Sequence, residues 1–355
     1  MVAAHLASND TDAAASVASV GVVTIGRNEG DRLVRCLESL RTHLPGHIPI
    51  VYVDSGSSDD SVYEARRRNA DVVSLDMSVP FTAARARNAG FERLMAIAPQ
   101  TQYVQFIDGD CELLPGWMNA ATEYLAHHPE TAIVFGRLRE RFPHASTYNQ
   151  LADMEWNVPV GQVLACGGIS LMRTAVLKAA NGFNPQLICG EEPELCIRIK
   201  RAGWNIQCID SEMAMHDMDM HRFGQWWKRS VRGGWAVAQG CDMYGRAAER
   251  YKFKAHISGW VWGAVLPLIA LLTAGITYGL SLVLCLVLYA LQIFRICRCR
   301  QQRGDTAQQS LQYAYFCVLS KLPQAIGQGK YWLNRWQNEP AQLIEYKKNR
   351  KGKTS

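Results

Sequence analysis

The sequence predicts an α/β domain built on a mainly parallel sheet, followed by helices that cross a membrane. Three observations carry that expectation. Short β-branched runs alternate with helical patterns between residues 20 and 107. Polar clusters follow the first, second and fourth of those runs. Further on, 38 consecutive residues, 257–294, contain no charged side chain. A chain of 355 residues, 48% hydrophobic and 20% charged, has room for two domains, and this composition excludes a disordered, collagen-like or disulfide-stapled protein.

Residues 1–18 are rich in Ala, Ser and Asp and are expected to be mobile. Val20-Gly21-Val22-Val23-Thr24-Ile25 reads as the first strand, and Leu33, Leu37 and Leu40 repeat at helical spacing behind it. A second strand over 48–53 ends at Asp54-Ser55-Gly56-Ser57-Ser58-Asp59-Asp60, before a helix over 61–69. A third strand at 71–75, a helix at 82–96 and the strand Tyr103-Val104-Gln105-Phe106-Ile107 complete the alternation, with a further short strand at 206–209. In such sheets ligands bind at the carboxyl ends of the strands. The clusters after strands one, two and four are therefore candidates for a single site. The α/β domain is expected to occupy 19–230, with a membrane-proximal connector at 231–256, two spanning helices in 257–295 and a basic tail at 296–355.

From Arg295 onward there are twelve Lys or Arg against three Asp or Glu, so the surplus of nine positive charges exceeds the net +6 of the whole chain. Nucleic acid and anionic lipid compete for such a tail, and the uncharged run before it decides for lipid. One spanning helix needs about 20 apolar residues. The run thus fits two helices with a reversal at Ala274-Gly275-Ile276-Thr277-Tyr278-Gly279. Trp260, Trp262, Tyr278 and Arg295 suit interfacial anchors, and Arg295, Arg298, Arg300 and Arg303 beyond the second helix place both flanks in the cytoplasm. The apolar segment 311–322 is short for a span and fits an interfacial helix better; packing against the hairpin and a third span are the alternatives. Residues 347–353 read as a solvated tail attracted to anionic lipid. Eleven cysteines run from Cys36 to Cys317 without paired metal spacing, and Cys297-x-Cys299 lacks a second pair. Zinc is not expected, and the thiols read as reduced and cytosolic.

Asp108-Gly109-Asp110 directly follows the fourth strand. Two carboxylates flanking a glycine suit a hard divalent cation, and the glycine allows a phosphate to approach closely. A plain type I turn is the alternative, just as Asp54, Asp59 and Asp60 also fit a turn with a helix N-cap. Their common placement at strand ends favours a site.

Thr24-Ile25-Gly26-Arg27-Asn28-Glu29, Asp54-Ser55-Gly56-Ser57-Ser58-Asp59, Ala84-Arg85-Ala86-Arg87-Asn88-Ala89-Gly90 and Asp108-Gly109-Asp110 stand in the order of the motifs of the family-two inverting glycosyltransferases. The chain resembles that family over residues 20–230, and the resemblance implies the GT-A nucleotide-sugar fold. It also implies roles for single residues. Glu29 borders the nucleobase, Asp54 holds the nucleoside, and Arg85, Arg87 and Asn88 bind the donor. Asp108-Gly109-Asp110 corresponds to the DxD motif, with Asp110 as metal ligand and Asp108 on ribose or metal, the cation being Mg2+ or Mn2+. Cys166-Gly167-Gly168-Ile169 is similar to the Gly-Gly strand that borders donor sugar and acceptor, which assigns Gly167 and Gly168 to the donor. Gly190-Glu191-Glu192-Pro193-Glu194-Leu195 resembles the Glu-Asp-x-Asp-Leu segment, whose second acidic residue is the catalytic base. That position is Glu192; a Glu where Asp is usual leaves Glu191 as the alternative, and a charged helix N-terminus as the structural one. His216, ahead of Asp217 and after the short strand, is a candidate for metal or diphosphate contact, although a lone His is usually structural. Phe223-Gly224-Gln225-Trp226-Trp227-Lys228-Arg229 falls where processive synthases carry Gln-x-x-Arg-Trp, but Lys228 and Arg229 break the pattern and count against processivity. Trp226 and Trp227 are candidates for the acceptor side, for membrane docking, or for core packing.

The resemblance implies a membrane-bound, metal-dependent transferase that moves a sugar from a nucleotide-sugar, a UDP-sugar first of all, to a lipid-linked or polysaccharide-precursor acceptor. It would work at the cytoplasmic face, in a bacterial inner membrane, without nucleic acid. A nucleotidyltransferase on a similar sheet is the alternative enzyme, but its glycine-rich phosphate loop is only weakly imitated by Gly26-Arg27-Asn28-Glu29-Gly30. A non-catalytic membrane subunit is the other alternative, and acidic residues at three strand ends speak against it.

Overall fold

The computed structural model describes residues 20–338; the N-terminal stretch 1–18 and the basic segment 347–353 lie outside the described residues. The described chain divides into two compact units, 20–221 and 222–338.

The first unit runs β1 (Val20–Gly26), α1 (Asp31–His43), β2 (Ile50–Asp54), α2 (Ser61–Arg67), β3 (Asp71–Ser74), α3 (Ala83–Ile97) and β4 (Tyr103–Asp108). It continues with β5 (Cys111–Leu113), α4 (Trp117–His127), β6 (Thr131–Glu140), α5 (Thr147–Trp156), β7 (Gly161–Gln162), β8 (Ser170–Arg173), α6 (Thr174–Ala179), α7 (Glu191–Arg201) and β9 (Asn205–His216). The strands form one sheet in the order β3-β2-β1-β4-β8-β6-β9-β5, with β7 on β9.

β1 to β4 are all parallel, as the alternation predicts. Beyond β4 the sheet is mixed: β8 runs antiparallel to β4 and β6, β5 and β7 run antiparallel to β9, and β6 and β9 are parallel. The expected short strand at 206–209 is the start of the longer β9. Asp210-Ser211-Glu212 breaks the apolar pattern, and the strand passes through it with register shifts against β6 opposite Phe135–Arg137. His216 is consequently the last residue of that strand, rather than a residue in a loop after it.

Val22, Val23, Val51, Val53 and Val104 are fully buried, the near-continuous apolar pattern of strands covered on both faces. Leu33, Leu37 and Leu40 form the buried stripe of α1. The strand order reverses between β1 and β4, because the chain builds β2 and β3 to one side and returns through α3 to the other. Such a reversal opens a crevice at the strand carboxyl ends. Register pairs Gly26 with Asp54 and Ile25 with Asp108, so the three strand tips end level.

The second unit comprises α8 (Phe223–Tyr244), α9 (Phe253–Thr273), α10 (Leu280–Gln301), α11 (Ala307–Leu319) and α12 (Lys321–Gln337). α8 runs through position 230 without a break. Among the described residues, α9 and α10 are the two helices long and apolar enough to cross a membrane. The chain reverses between them, with Tyr278 at φ 50° and Gly279 at φ 84°. α9 contains a π-type turn at Val261–Val265 just ahead of Pro267, whose missing N–H cannot join the regular ladder. Leu268, Leu271, Leu272, Leu286 and Phe294 are all more than half exposed. A surface of that kind marks contact with a membrane or with another protein.

Segment 311–322 forms most of α11 and the start of α12, and it packs against its own unit. Arg300 of α10 lies 4.4 Å over the Tyr313 ring, and Trp226 of α8 meets Phe316 edge-on at 5.1 Å. α12 lies on α8 through Trp235 and Tyr331, 5.4 Å apart, and through Gly327, whose missing side chain leaves room for the Val231 carbonyl.

Helix α3 lies against β1 and β2 at Gly90, where a Cβ would collide with Val23 and come within 2.8 Å of Val53. Gly90→Ala is expected to cost about 1–3 kcal/mol by overpacking, despite the better helix propensity of alanine. Urea titration followed by near-ultraviolet circular dichroism measures this, and an unchanged or raised midpoint contradicts it.

Candidate active site

The tips of β1 and β2 are laced together by their loops. Asn28, at φ 55°, accepts the Ser58 N–H on its side-chain oxygen at 2.7 Å, and its own N–H donates to Ser57 Oγ at 2.9 Å. Gly30 N–H donates to Asp59 at 3.1 Å. The buried Asp54 carboxylate accepts the N–H groups of Gly56 and Ser57 at 3.0 and 2.9 Å, and the Tyr52 hydroxyl at 3.2 Å. Asp54 thus holds its own turn in shape. Glu29 pairs with Arg32 at 2.8 Å, and Gly109 N–H binds the Ile25 carbonyl at 2.8 Å, joining β4 to the end of β1.

Across this crevice lies a buried charge cluster centred on Arg87. Its guanidinium meets Glu191 at 2.7 Å, Glu192 at 2.9 Å and Asp108 at 3.0 Å. Burial opposes the arginine charge, but the three carboxylates outweigh it and hold the pKa above the ordinary arginine value. Glu191 and Glu192 open α7, where the helix N-terminus favours negative charge. Burial, and then the neighbouring Glu191, push the Glu192 carboxyl up to about 7 despite Arg87. Gly168 closes the cluster: a Cβ there would strike the Arg87 guanidinium and lie 3.0 Å from Glu192 and 3.2 Å from Asp108. Only glycine lets this backbone pass so near.

Asp110 points to a different corner. It lies 3.4 Å from His216 Nε2, and Cys111 donates to its other oxygen at 3.5 Å. Cys111 and His216 are cross-strand partners in the β5–β9 pair. Ligand atoms of Asp110, Cys111 and His216 lie within 4.8 Å of one another, a grouping able to hold a metal ion. Asp108, one third exposed, belongs to the Arg87 cluster.

Two residues of this corner escaped the sequence reading. Cys111 follows Asp110 directly, which was the available signal. Glu140, fully buried behind His216, offers none, because it reaches the site only through the β6–β9 pairing. Arg85 and Asn88, expected beside the donor, are engaged elsewhere. Arg85 donates to the carbonyls of Asp76, Val79 and Pro80. Asn88 clamps the Phe183 backbone through both N–H and carbonyl, at 2.8 and 2.7 Å. Gly167 is exposed, with nothing within 4 Å of where a Cβ would stand. Trp226 is buried against Phe316 within the helical unit, and Trp227 lies 5.7 Å from Phe223.

Residues 21–162 match the family described as glycosyl transferase family 2. The chain is 25% identical over 214 residues to the pre-mycofactocin glycosyltransferase of Mycobacterium tuberculosis, matched in two strains, covering 56% of this chain and 42% of the relative. It therefore spans less than half the length of the curated relatives it matches. Among solved structures, the mannosyltransferase PcManGT of Pyrobaculum calidifontis, in complex with GDP-Man and Mn2+, superposes with a TM-score of 0.55 at 18% identity, over 84% of this chain and 86% of that one. At that identity the likeness concerns the fold, which is GT-A.

The raised Glu192 pKa has a stability consequence. The folded state holds this proton more tightly than an ordinary carboxyl of pKa 4.5 does, so the contribution is complete below pH 4.5 and is lost as pH rises through about 7. Glu192→Gln cannot ionise, so the variant should gain on the parent between pH 5 and pH 8, by on the order of 3 kcal/mol at most. Paired denaturant titrations at both pH values check this; a difference that stays flat or falls with pH contradicts it.

Proposed function

We propose that this chain, whose residues 21–162 match glycosyl transferase family 2, is a membrane-bound, metal-dependent inverting transferase that moves a sugar from a nucleotide-sugar to a lipid-linked or polysaccharide-precursor acceptor. The observation that carries the reading is Glu192, a buried carboxyl raised to about 7 beside Gly168 and Asp108. A general base works best with a pKa near the working pH. Glu192 would take the proton of the acceptor hydroxyl late in its attack on the face of the sugar opposite the nucleotide, giving inversion. Glu191 is the more deeply held of the two, and with Arg87 it keeps Glu192 in place.

Asp110, Cys111 and His216 form a donor set able to hold a divalent cation; with a carboxylate beside an imidazole, Mn2+ suits it better than the oxygen-preferring Mg2+. When bound, such a cation neutralises the charge that develops on a diphosphate leaving group. Asp54 ends β2 level with Gly26, and Glu29 follows in the loop after β1, where the nucleoside would lie; Gly167 and Gly168 would border the sugar. UDP-sugars are the first donors to test, followed by GDP-mannose, the ligand of the Pyrobaculum neighbour. Incubating membranes with labelled nucleotide-sugars and, separately, labelled nucleoside triphosphates tests the reading. Label passing into a lipid or saccharide fraction supports it; pyrophosphate release from triphosphates, or no turnover at all, overturns it.

In that assay Glu192→Gln should retain donor binding and lose about 10²–10⁴-fold in kcat, while kcat/KM of the parent should rise with pH and level off above about 7, the value to which Glu192 is pushed. An inactive Glu191→Gln beside an active Glu192→Gln reverses the assignment.

The α9–α10 hairpin would cross a bacterial inner membrane twice and leave the catalytic unit in the cytoplasm, where nucleotide-sugars are made. The arginines that follow α10 and the absence of charge at the reversal support that orientation. Thr277→Cys places a thiol in the reversal, and the parent has no cysteine between Cys241 and Cys285. A membrane-impermeant maleimide should label it in intact spheroplasts. Labelling only after lysis would favour a hairpin that dips in and returns.

A further inference from the structure

Glu140 is the last residue of β6 and its side chain has no exposure. Its carboxylate is held from three sides: Phe142 N–H and Asn149 Nδ2 donate to Oε1 at 3.2 and 3.1 Å, and Met218 N–H donates to Oε2 at 3.1 Å. The same Oε2 lies 3.8 Å from His216 Nδ1, a buried atom without a hydrogen-bond partner. The other ring nitrogen, Nε2, faces Asp110 at 3.4 Å. Trp156 stands edge-on to the imidazole at 4.7 Å and limits its rotation.

A buried carboxylate is costly unless hydrogen bonds satisfy it, and these three donors fix the direction in which Glu140 faces His216. We propose that Glu140 is the positioning residue of the cation corner: it accepts the Nδ1 hydrogen of His216 and so turns the Nε2 lone pair toward the ion shared with Asp110. The inference rests on the reading of Asp110 and His216 as cation ligands. Metal-bound imidazoles commonly donate their second N–H to a carboxylate, which fixes both tautomer and ring direction. Here the gap of 3.8 Å needs to close by less than 1 Å. Glu140 acts through His216, and the route is short because β6 and β9 pair Glu140 directly with His216. Asn149, one helical turn into α5, aims the carboxylate by donating to it while accepting Met220 N–H at 3.1 Å.

The test is a double-mutant cycle on Mn2+ affinity, read from the electron paramagnetic resonance of free Mn2+ with the full chain purified in detergent. Glu140→Gln keeps the size and loses the paired acceptor, and should weaken Mn2+ binding about 10–100-fold. In a His216→Ala background the same substitution should have no further effect. Should Glu140→Gln fail to fold, Asn149→Ala must show the same pattern with a smaller loss. An equal loss with and without His216 would make Glu140 a general support of the fold and overturn the proposal. Unchanged affinity in Glu140→Gln, alongside lost binding in Asp110→Asn, would overturn it and leave the cation corner standing. A parent that binds no Mn2+, or an Asp110→Asn that binds as tightly as the parent, would remove the cation reading and this inference with it.

Discussion

Arg87 supplies one positive charge to three buried or half-buried carboxylates, and the site depends on that arrangement. An ion taken from water into protein costs several kcal/mol unless it is paired in good geometry. Glu191 and Glu192 on α7 and Asp108 at the end of β4 come from two distant stretches of chain, yet each touches the same guanidinium. Arg87 therefore joins the first half of the domain to the second. It does so at the point where negative charge must be tolerated without being cancelled. Burial first, and then the like charge of Glu191, outweigh the single Arg87 cation, so Glu192 holds its proton to about 7.

The backbone brings these groups to one level. Register between β1, β2 and β4 ends three strands together, and the amide of Gly109 ties the last of them to Ile25. Gly168 then lets a fourth segment slide against the charge cluster. Loops hydrogen-bonded to each other across 26–30 and 55–59 brace one end of the crevice, and the β5–β9 pair sets Cys111 beside His216 at the other.

Much of this was legible in the amino-acid sequence, and the exceptions have physical causes. The strand-helix alternation up to Ile107 was readable because β1, β2 and β4 are buried, nearly continuous apolar runs. Only the start of β9, at 206–209, was, since its middle is polar and its pairing with β6 is irregular. The acidic motifs are local, and their order survives in space. Arg85 and Arg87 were indistinguishable by motif, although residues two apart on a helix face nearly opposite ways; one holds the 76–80 loop and the other the carboxylates. Glu140 was invisible because its partner lies 76 positions away, at a distance only strand pairing can close.

The level strand tips also decide which genetic changes this domain can survive. A strand repeats every two residues, so one inserted codon within β1 would turn Val22 and Val23 toward the wrong face and offset Gly26 from Asp54. No neighbouring side chain can repair that. Residues 76–80 are exposed and lie between β3 and α3, where loop closure grows more costly only slowly with length. Lineages descended from this chain should accordingly differ in length around 76–80, while β1, β2 and β4 change by substitution alone.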